Sequence, residues 1–358
     1  MIIKIIKYLL FVFSVFIPLV KGRYVFSSNS EYISDDIFWF IKHLSSNENL
    51  DLIWLGSIDI QSVWVKKVKK NCLKAWVYSL TAEKVFFTHG LNDLNNVCNL
   101  KSARVNLWHG CPVKKIGEDS SVFSSRRGLI RRHLKPERFL WTEFFVGTHE
   151  WEEIFRRGYG LTKSQINSAG LPRSSYLKAM AESKYNLTSG NYIAFAPTYR
   201  NGITDYSTYD LMLKNEVIQT TLRKNNMILL VKLHAMDDYT YEKNDVIIDA
   251  QDTSIYDLLL KSKAVITDYS SLIFDFSILN KPLILFMPDL EEFSTKIGGF
   301  YFDFPEGRDF DWVARCYCVA EVVAALDEIS IGNVSCASEQ FVNKFNNFNA
   351  TEYLIKGG

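Results

Sequence analysis

Ala264-Val265-Ile266-Thr267-Asp268-Tyr269-Ser270-Ser271-Leu272 runs from an apolar, β-branched segment through a short polar turn into the apolar stretch Leu272-Ile273-Phe274-Asp275-Phe276. A buried strand followed at once by a polar turn and a helix is the repeating unit of a parallel α/β sheet. The turn matters twice, because ligands of open α/β sheets sit beyond the carboxyl ends of the strands. Asp268, Ser270 and Ser271 would there offer hydroxyls and free backbone N–H groups at the start of a helix, which suits a phosphate. The same residues serve equally well as ordinary N-caps.

The pattern recurs on both sides of this stretch. Upstream, Tyr192 to Ala196, Met227 to Leu233 and Val246 to Ile248 read as strands, and Leu283 to Phe286 follows downstream. In the first half the expected strands are Tyr24 to Phe26, Leu52 to Leu55, Lys84 to Phe87, Ala103 to Leu107 and Phe144 to Val146, with helices over Asp35 to Leu44 and Glu150 to Arg157. Polar residues around Ser183 to Gly190 separate the two series as a linker. The expected fold is therefore α/β and GT-B-like, with two doubly wound Rossmann-like domains facing a cleft. The boundaries predicted are a hydrophobic segment over 1–21, domains over 22–182 and 183–335, and a helical segment over 336–358.

A chain of 358 residues suits two such domains. With 41 basic and 40 acidic side chains, it lacks the overall positive charge that nucleic-acid binding requires. The cysteines are scattered, with no zinc-knuckle pair, and read as reduced thiols. Two features point to a lipid surface instead. Met1 to Val20 is apolar with lysines at its start, too short for a comfortable span and without a clear cleavage site, so a monotopic anchor, a span, a signal and a buried first helix all stay open. Gln61 to Lys74 alternates Val63, Trp64, Val65 and Val68 with lysines, which predicts an interfacial helix or an ordinary surface one. A second basic cluster, Arg126 to Arg138, would suit an anionic acceptor chain, lipid headgroups or plain solvation.

The strand tails carry the candidate chemistry. Arg200 in Pro197-Thr198-Tyr199-Arg200 and Lys232 lie at neighbouring strand ends and could neutralise a diphosphate or form surface ion pairs. His234 follows Lys232-Leu233, and Asp289-Leu290-Glu291-Glu292 follows a later strand. In the first half, Thr88-His89-Gly90 and Trp108-His109-Gly110-Cys111-Pro112 are the corresponding tails. An imidazole takes a hydroxyl proton near neutral pH better than any other side chain, so His109 is the candidate general base, with a structural histidine as its alternative. No close carboxylate pair marks a metal site, although Asp268, Asp275 and Asp289 could bring a divalent ion to a diphosphate. No cofactor is expected.

Taken in order, Trp108-His109-Gly110-x-Pro112-x-Lys114-Lys115-x-Gly117, Gly170-Leu171-Pro172-Arg173, Ala196-Pro197-Thr198-Tyr199-Arg200, Lys232-Leu233-His234 and Thr267-Asp268-Tyr269-Ser270-Ser271-x-x-x-Asp275-Phe276 resemble the CDP-glycerol glycerophosphotransferases of teichoic acid and capsule synthesis. Lys281-Pro282, Asp289 to Phe293, Gly299 to Asp303 and Phe345 to Ile355 extend the likeness. The resemblance implies a GT-B fold used for phosphoryl transfer, with His109 and His234 as the catalytic pair. It implies donor binding by Arg200, Lys232, Thr267, Asp268, Ser270, Ser271 and Asp275, and further donor or acceptor contacts at Gly110, Lys114, Arg173, Asp289 and Glu292. The implied partners are a CDP-linked donor, a polyprenyl-diphosphate-linked or polymeric acceptor and an anionic membrane surface on the cytoplasmic face of the cell membrane. Cys111, Ala235, Ser174-Ser175 and Gly298 depart from the family's usual residues: the first two remove no proposed catalytic group, whereas the last two sit where donor or acceptor contacts fall and leave CDP-ribitol open as donor, and the GT-B fold itself leaves a nucleotide sugar open. A non-catalytic module that binds anionic polymers is the alternative of another class.

Overall fold

The computed structural model describes residues 2–28, 35–45, 47–56, 65–120, 140–183, 190–200, 202–234 and 236–356. The first strand, β1 (Val20–Ser27), ends in Val25 and Phe26, both fully buried. It is flanked by β2 (Asp51–Leu55) and β4 (Ala82–Phe87), and all three run parallel. With β3 (Lys66–Val68), β5 (Ala103–Asn106), β6 (Glu143–Phe145) and β7 (Ile166–Asn167) they form a sheet of order β3-β2-β1-β4-β5-β6-β7. The helix α2 (Asp35–Leu44) covers one face because Ile37, Phe40, Ile41 and Leu44 recur at helical spacing and are buried together. Phe40 meets the stacked rings of Phe26 and Phe86 edge-on, the geometry favoured by aromatic quadrupoles.

The second sheet is built from β8 (Tyr192–Phe195), β9 (Ile228–Val231), β10 (Ile247–Asp249), β11 (Ala264–Thr267), β12 (Leu283–Phe286) and β13 (Ala314–Cys316). Its order, β10-β9-β8-β11-β12-β13, is parallel throughout. Helices Glu216–Lys224 and Val319–Ile331 bury Ile218 and Leu222, and Val322, Leu326 and Ile329, against it. The Asn215 side chain caps the first of these helices by accepting the N–H groups of Val217 and Ile218.

The chain divides into two compact units, Met1–Gly110 with Ile130–Tyr176 and Asn346–Gly358, and Cys111–Leu129 with Leu177–Phe345. Each sheet reverses its strand order once, between β1 and β4 in unit 1 and between β8 and β11 in unit 2. Those switch points are where the connecting chains part and leave a crevice.

Three edge strands were not expected from the sequence: β3, β7 and β13 are short and lack an apolar run. The helix expected through Gln61 to Lys74 is corrected at its described end. Lys66 and Lys67 lie on β3, where Lys66 pairs with Asp51, and lysines are a common way to blunt an exposed sheet edge. The helix there, α3 (Leu73–Thr81), begins only afterwards. Val63, Trp64, the cluster Arg126 to Arg138 and most of the expected linker lie outside the described residues. At the amino end, α1 (Ile2–Phe13) is followed by a short 3-10 turn over Ser14–Phe16. Among the described residues no helix is long and apolar enough to cross a membrane.

Candidate active site

Unit 2 gathers its polar strand tails around Arg200. The guanidinium is completely buried and forms an ion pair with Asp268 at 2.7 Å and another with Asp289 at 3.3 Å. It also lies over the rings of Phe293 and Tyr269, whose hydroxyl donates to Asp289. Burial works against the charge, but Asp268, Asp289, Tyr209 and Tyr269 together hold the Arg200 pKa above its ordinary value. Asp268 further accepts the N–H of Thr198, and Asp237 accepts both the N–H of Arg200 and the hydroxyl of Tyr209. One buried cation thus joins the loops after β8, β11 and β12, and Asp237 ties in the loop after β9.

The residues named from the sequence separate into two groups. Thr267 donates to the Ala196 carbonyl, Asp275 accepts from Tyr256, and both are buried, as are Arg200 and Asp268. Ser270, Ser271, Lys232 and His234 keep exposed surface at the strand ends. The helix after Ser271, Leu272–Ser277, is short, so the serine hydroxyls and backbone amides rather than a helix dipole are what this turn presents. Lys232 donates to the Gln251 carbonyl, and Glu292 pairs with Lys296 on its own helix. Asp289 also lines an open pocket of about 600 Å³ beside Ser207, Glu291 and Lys296.

The described stretch from Cys111 to Ser120 belongs to this unit. Lys114 bridges Phe300 in antiparallel fashion, Lys115 donates to the Gly299 carbonyl, and Tyr301 donates to Val113. Its other end is held by the Tyr301 hydroxyl, which donates to Asp119. This docking carries the Lys114 ammonium into the field of Asp268, Arg200 and His234. Burial pushes its pKa down, Asp268 opposes that shift and Arg200 adds to it.

His234 Nδ1 accepts the N–H of Met236, which puts the ring proton on Nε2 and makes that nitrogen a donor. Burial lowers its pKa, Asp237 raises it and Lys114 lowers it further, so a neutral imidazole with an outward N–H is the favoured form near neutral pH.

Unit 1 presents the other histidine. Trp108 adopts a left-handed backbone, φ 58°, which is unusual for a bulky residue and is held by its N–H to Asn106 Oδ1 and by packing on Phe144, Phe155 and Tyr159. Gly110, φ 139°, completes the turn where a side chain would be strained. Between them His109 is exposed, and its Nδ1 lies 3.2 Å from the Thr88 carbonyl oxygen. A carbonyl can only accept, so the proton is on Nδ1, which makes Nε2 the basic nitrogen of the ring. The two histidines therefore take opposite tautomers. His89 stacks on His109, and buried Asp93 accepts the N–H groups of Thr88 and His89. Neither His89 nor Asp93 was named from the sequence as a site residue. The only signal was that Thr88-His89-Gly90 is also a strand tail.

Arg173 is buried beside Asp36, 2.9 Å away, and Ser175 donates to the Phe348 carbonyl, both within unit 1. Gly298, another departure from the usual family residues, is the left-handed C-cap of helix Leu290–Ile297, a position that favours glycine. Ala235 lies outside the described residues.

Residues 9–351 match the profile of the family described as CDP-Glycerol:Poly(glycerophosphate) glycerophosphotransferase. The chain is 29% identical over 242 residues to the teichoic acid poly(glycerol phosphate) polymerase of Bacillus subtilis, covering 62% of this chain and 32% of that relative. It therefore spans just under a third of the polymerase's length. Over 330 residues it is 26% identical to the teichoic acid glycerol-phosphate transferase of Staphylococcus aureus, covering 85% of this chain and 84% of the relative. Among solved structures, that of the wall teichoic acid polymerase TagF matches with a TM-score of 0.78 at 19% identity, over 97% of this chain and 91% of that one, which is a likeness of fold.

Proposed function

We propose, proceeding from the fact that this chain belongs to the CDP-glycerol:poly(glycerophosphate) glycerophosphotransferase family, that it transfers glycerol phosphate from CDP-glycerol to a hydroxyl of a cell-envelope polymer or its lipid-linked primer. The observation that carries this reading is the pair of opposite tautomers, with the proton on Nδ1 in His109 and on Nε2 in His234. A transfer from a diphosphate needs both, a base for the incoming hydroxyl and a donor for the phosphate charge.

The acceptor oxygen attacks the β-phosphorus of CDP-glycerol and gives its proton to His109 Nε2. The bond from that phosphorus to the bridging oxygen breaks, and CMP leaves. The donor's phosphate oxygens are held by His234 Nε2–H, Lys114 and the hydroxyls of Ser270 and Ser271, so charge on the leaving phosphate meets donors already in place. Arg200 moves from donor ligand to positioning residue, because its guanidinium is fully buried among Asp268, Asp289 and two aromatic rings.

The test is nucleotide release with a lipid-linked acceptor present, comparing CDP-glycerol, CDP-ribitol and nucleotide sugars. CMP is expected from CDP-glycerol, with an acceptor whose mass grows by glycerol phosphate units. Turnover of a nucleotide sugar or of CDP-ribitol alone, or of no donor, would overturn the reading.

The same reading places the protein on the cytoplasmic face of the cell membrane, where a nucleotide-activated donor is supplied. Ile6, Leu9, Phe13 and Phe16 follow helical spacing and are 43%, 46%, 57% and 80% exposed, a stripe of large apolar side chains facing out. Leu73 and Val77 on α3 are exposed one turn apart. Asn99 donates to the carbonyls of Ile17 and Leu80, fastening the segment after α1 and the end of α3 to the same side chain. Replacing Phe13 and Phe16 with serine is expected to weaken binding to vesicles containing anionic lipid, read by co-flotation, by about thirtyfold or more, as loss of some 2 to 3 kcal/mol of apolar burial implies. Unchanged flotation would remove the membrane assignment and leave the chemistry standing.

A further inference from the structure

The base of this reaction has a neighbour that no family motif accounts for. His89 and His109 lie face to face, with ring centroids 4.2 Å apart and an interplanar angle of 10°. The loop that carries His89 is unusually well fixed. The Asp93 carboxylate is fully buried, and its Oδ2 accepts the N–H of Thr88 and of His89, each at 3.0 Å. The Thr88 hydroxyl lies 2.9 Å from His89 Nδ1, and the Thr88 carbonyl is the acceptor that orients His109 Nδ1. The His109 ring also meets that of Trp108, 4.1 Å away, but one carboxylate holds two of its contacts: a flat surface against its face and an acceptor for Nδ1.

We propose that His89 is a positioning residue for the base, its imidazole serving as the platform that holds the His109 ring with Nδ1 on the Thr88 carbonyl. The proposal rests on the reading of His109 as the base. An exposed imidazole can rotate about its side-chain bonds, and a reacting group displaced by about 1 Å can lose on the order of a hundredfold in rate. A stacked ring restricts that freedom through the face of the imidazole and without bonding to either of its nitrogens. The platform must also stay uncharged, since two adjacent imidazolium rings repel. Burial lowers the His89 pKa, Asp93 opposes that shift and Lys70 adds to it, which leaves a neutral ring beside the nitrogen that receives the proton.

The experiment compares H89F, which keeps a flat ring of similar size, with H89L, which keeps bulk without one, in the full chain with CDP-glycerol and a lipid-linked acceptor. H89F is expected to keep kcat within about threefold of the parent, and H89L to lose about tenfold or more, with KM for CDP-glycerol within about twofold in both. The ¹⁵N imidazole signals of His109 should show one fixed tautomer in the parent and H89F and an averaged state in H89L. Parent-like kcat in H89L, or equal losses in the two variants, would overturn the proposal. An H109A protein as active as the parent would instead bring down the base assignment, whereas an inactive H109A beside a fully active H89L removes only the platform.

Discussion

Replacing His109 with alanine is expected to lower CMP release from CDP-glycerol by about 10² to 10⁴, the range lost when a general base is removed from a proton transfer. The size of the effect separates it from any structural role. His109 is exposed, and replacing an exposed side chain costs the folded state about 1 kcal/mol or less. Thermal unfolding of H109A should accordingly fall close to that of the parent, and donor binding measured by calorimetry should persist, because the groups proposed to hold the phosphates are His234, Lys114 and the serines. Added imidazole should restore part of the activity, since a small diffusible base can occupy the space the side chain left. Near-parental turnover by a folded H109A, or binding lost together with turnover, would sink the assignment.

The sheets were legible because parallel strands buried on both faces read as unbroken apolar runs, and Ala264–Thr267 and Leu283–Phe286 matched from end to end. What escaped notice lies at the sheet edges, where β3, β7 and β13 have no second covered face to demand such a run. The site was legible by position but not by direction. Being at a strand tail put Arg200, Asp268, His234 and Ser271 near the switch point, yet nothing in residue order said which side chains turn inward. Opposite charges at neighbouring tails were the available hint, since a cation and two carboxylates that close in an apolar setting pair with one another before they meet a ligand. Lys281 shows the same limit. It belongs to a family-like motif, but its ammonium donates to the carbonyls of Leu259, Leu260 and Ser262 at the end of a helix, and burial pushes its pKa down to about 8.

That limit gives Arg200 the largest expected effect on stability. In R200M the aliphatic body of the side chain is kept, and the change isolates the charge. Asp268 would lose its partner at 2.7 Å and Asp289 its partner at 3.3 Å, both in surroundings that include Tyr269 and Phe293. Breaking a buried pair by removing one member costs about 3 to 5 kcal/mol, because the remaining carboxylates are left desolvated and unpaired. Urea unfolding should show that loss, and the melting temperature should fall by roughly 10 °C. Arg200→Lys should recover only part of it, since an ammonium cannot reach Asp268, Asp289 and the Thr198 carbonyl at once as the guanidinium does. The variant that decides the point is R200M combined with D268N and D289N. If the cost lies in stranded carboxylates, neutralising both should return most of the stability but little of the activity, because the loops bearing Ser270, Ser271 and His234 would no longer be drawn to a common centre. Stability that stays low in the triple variant, or R200M as stable as the parent, would show that the buried ion pairs do not hold these loops.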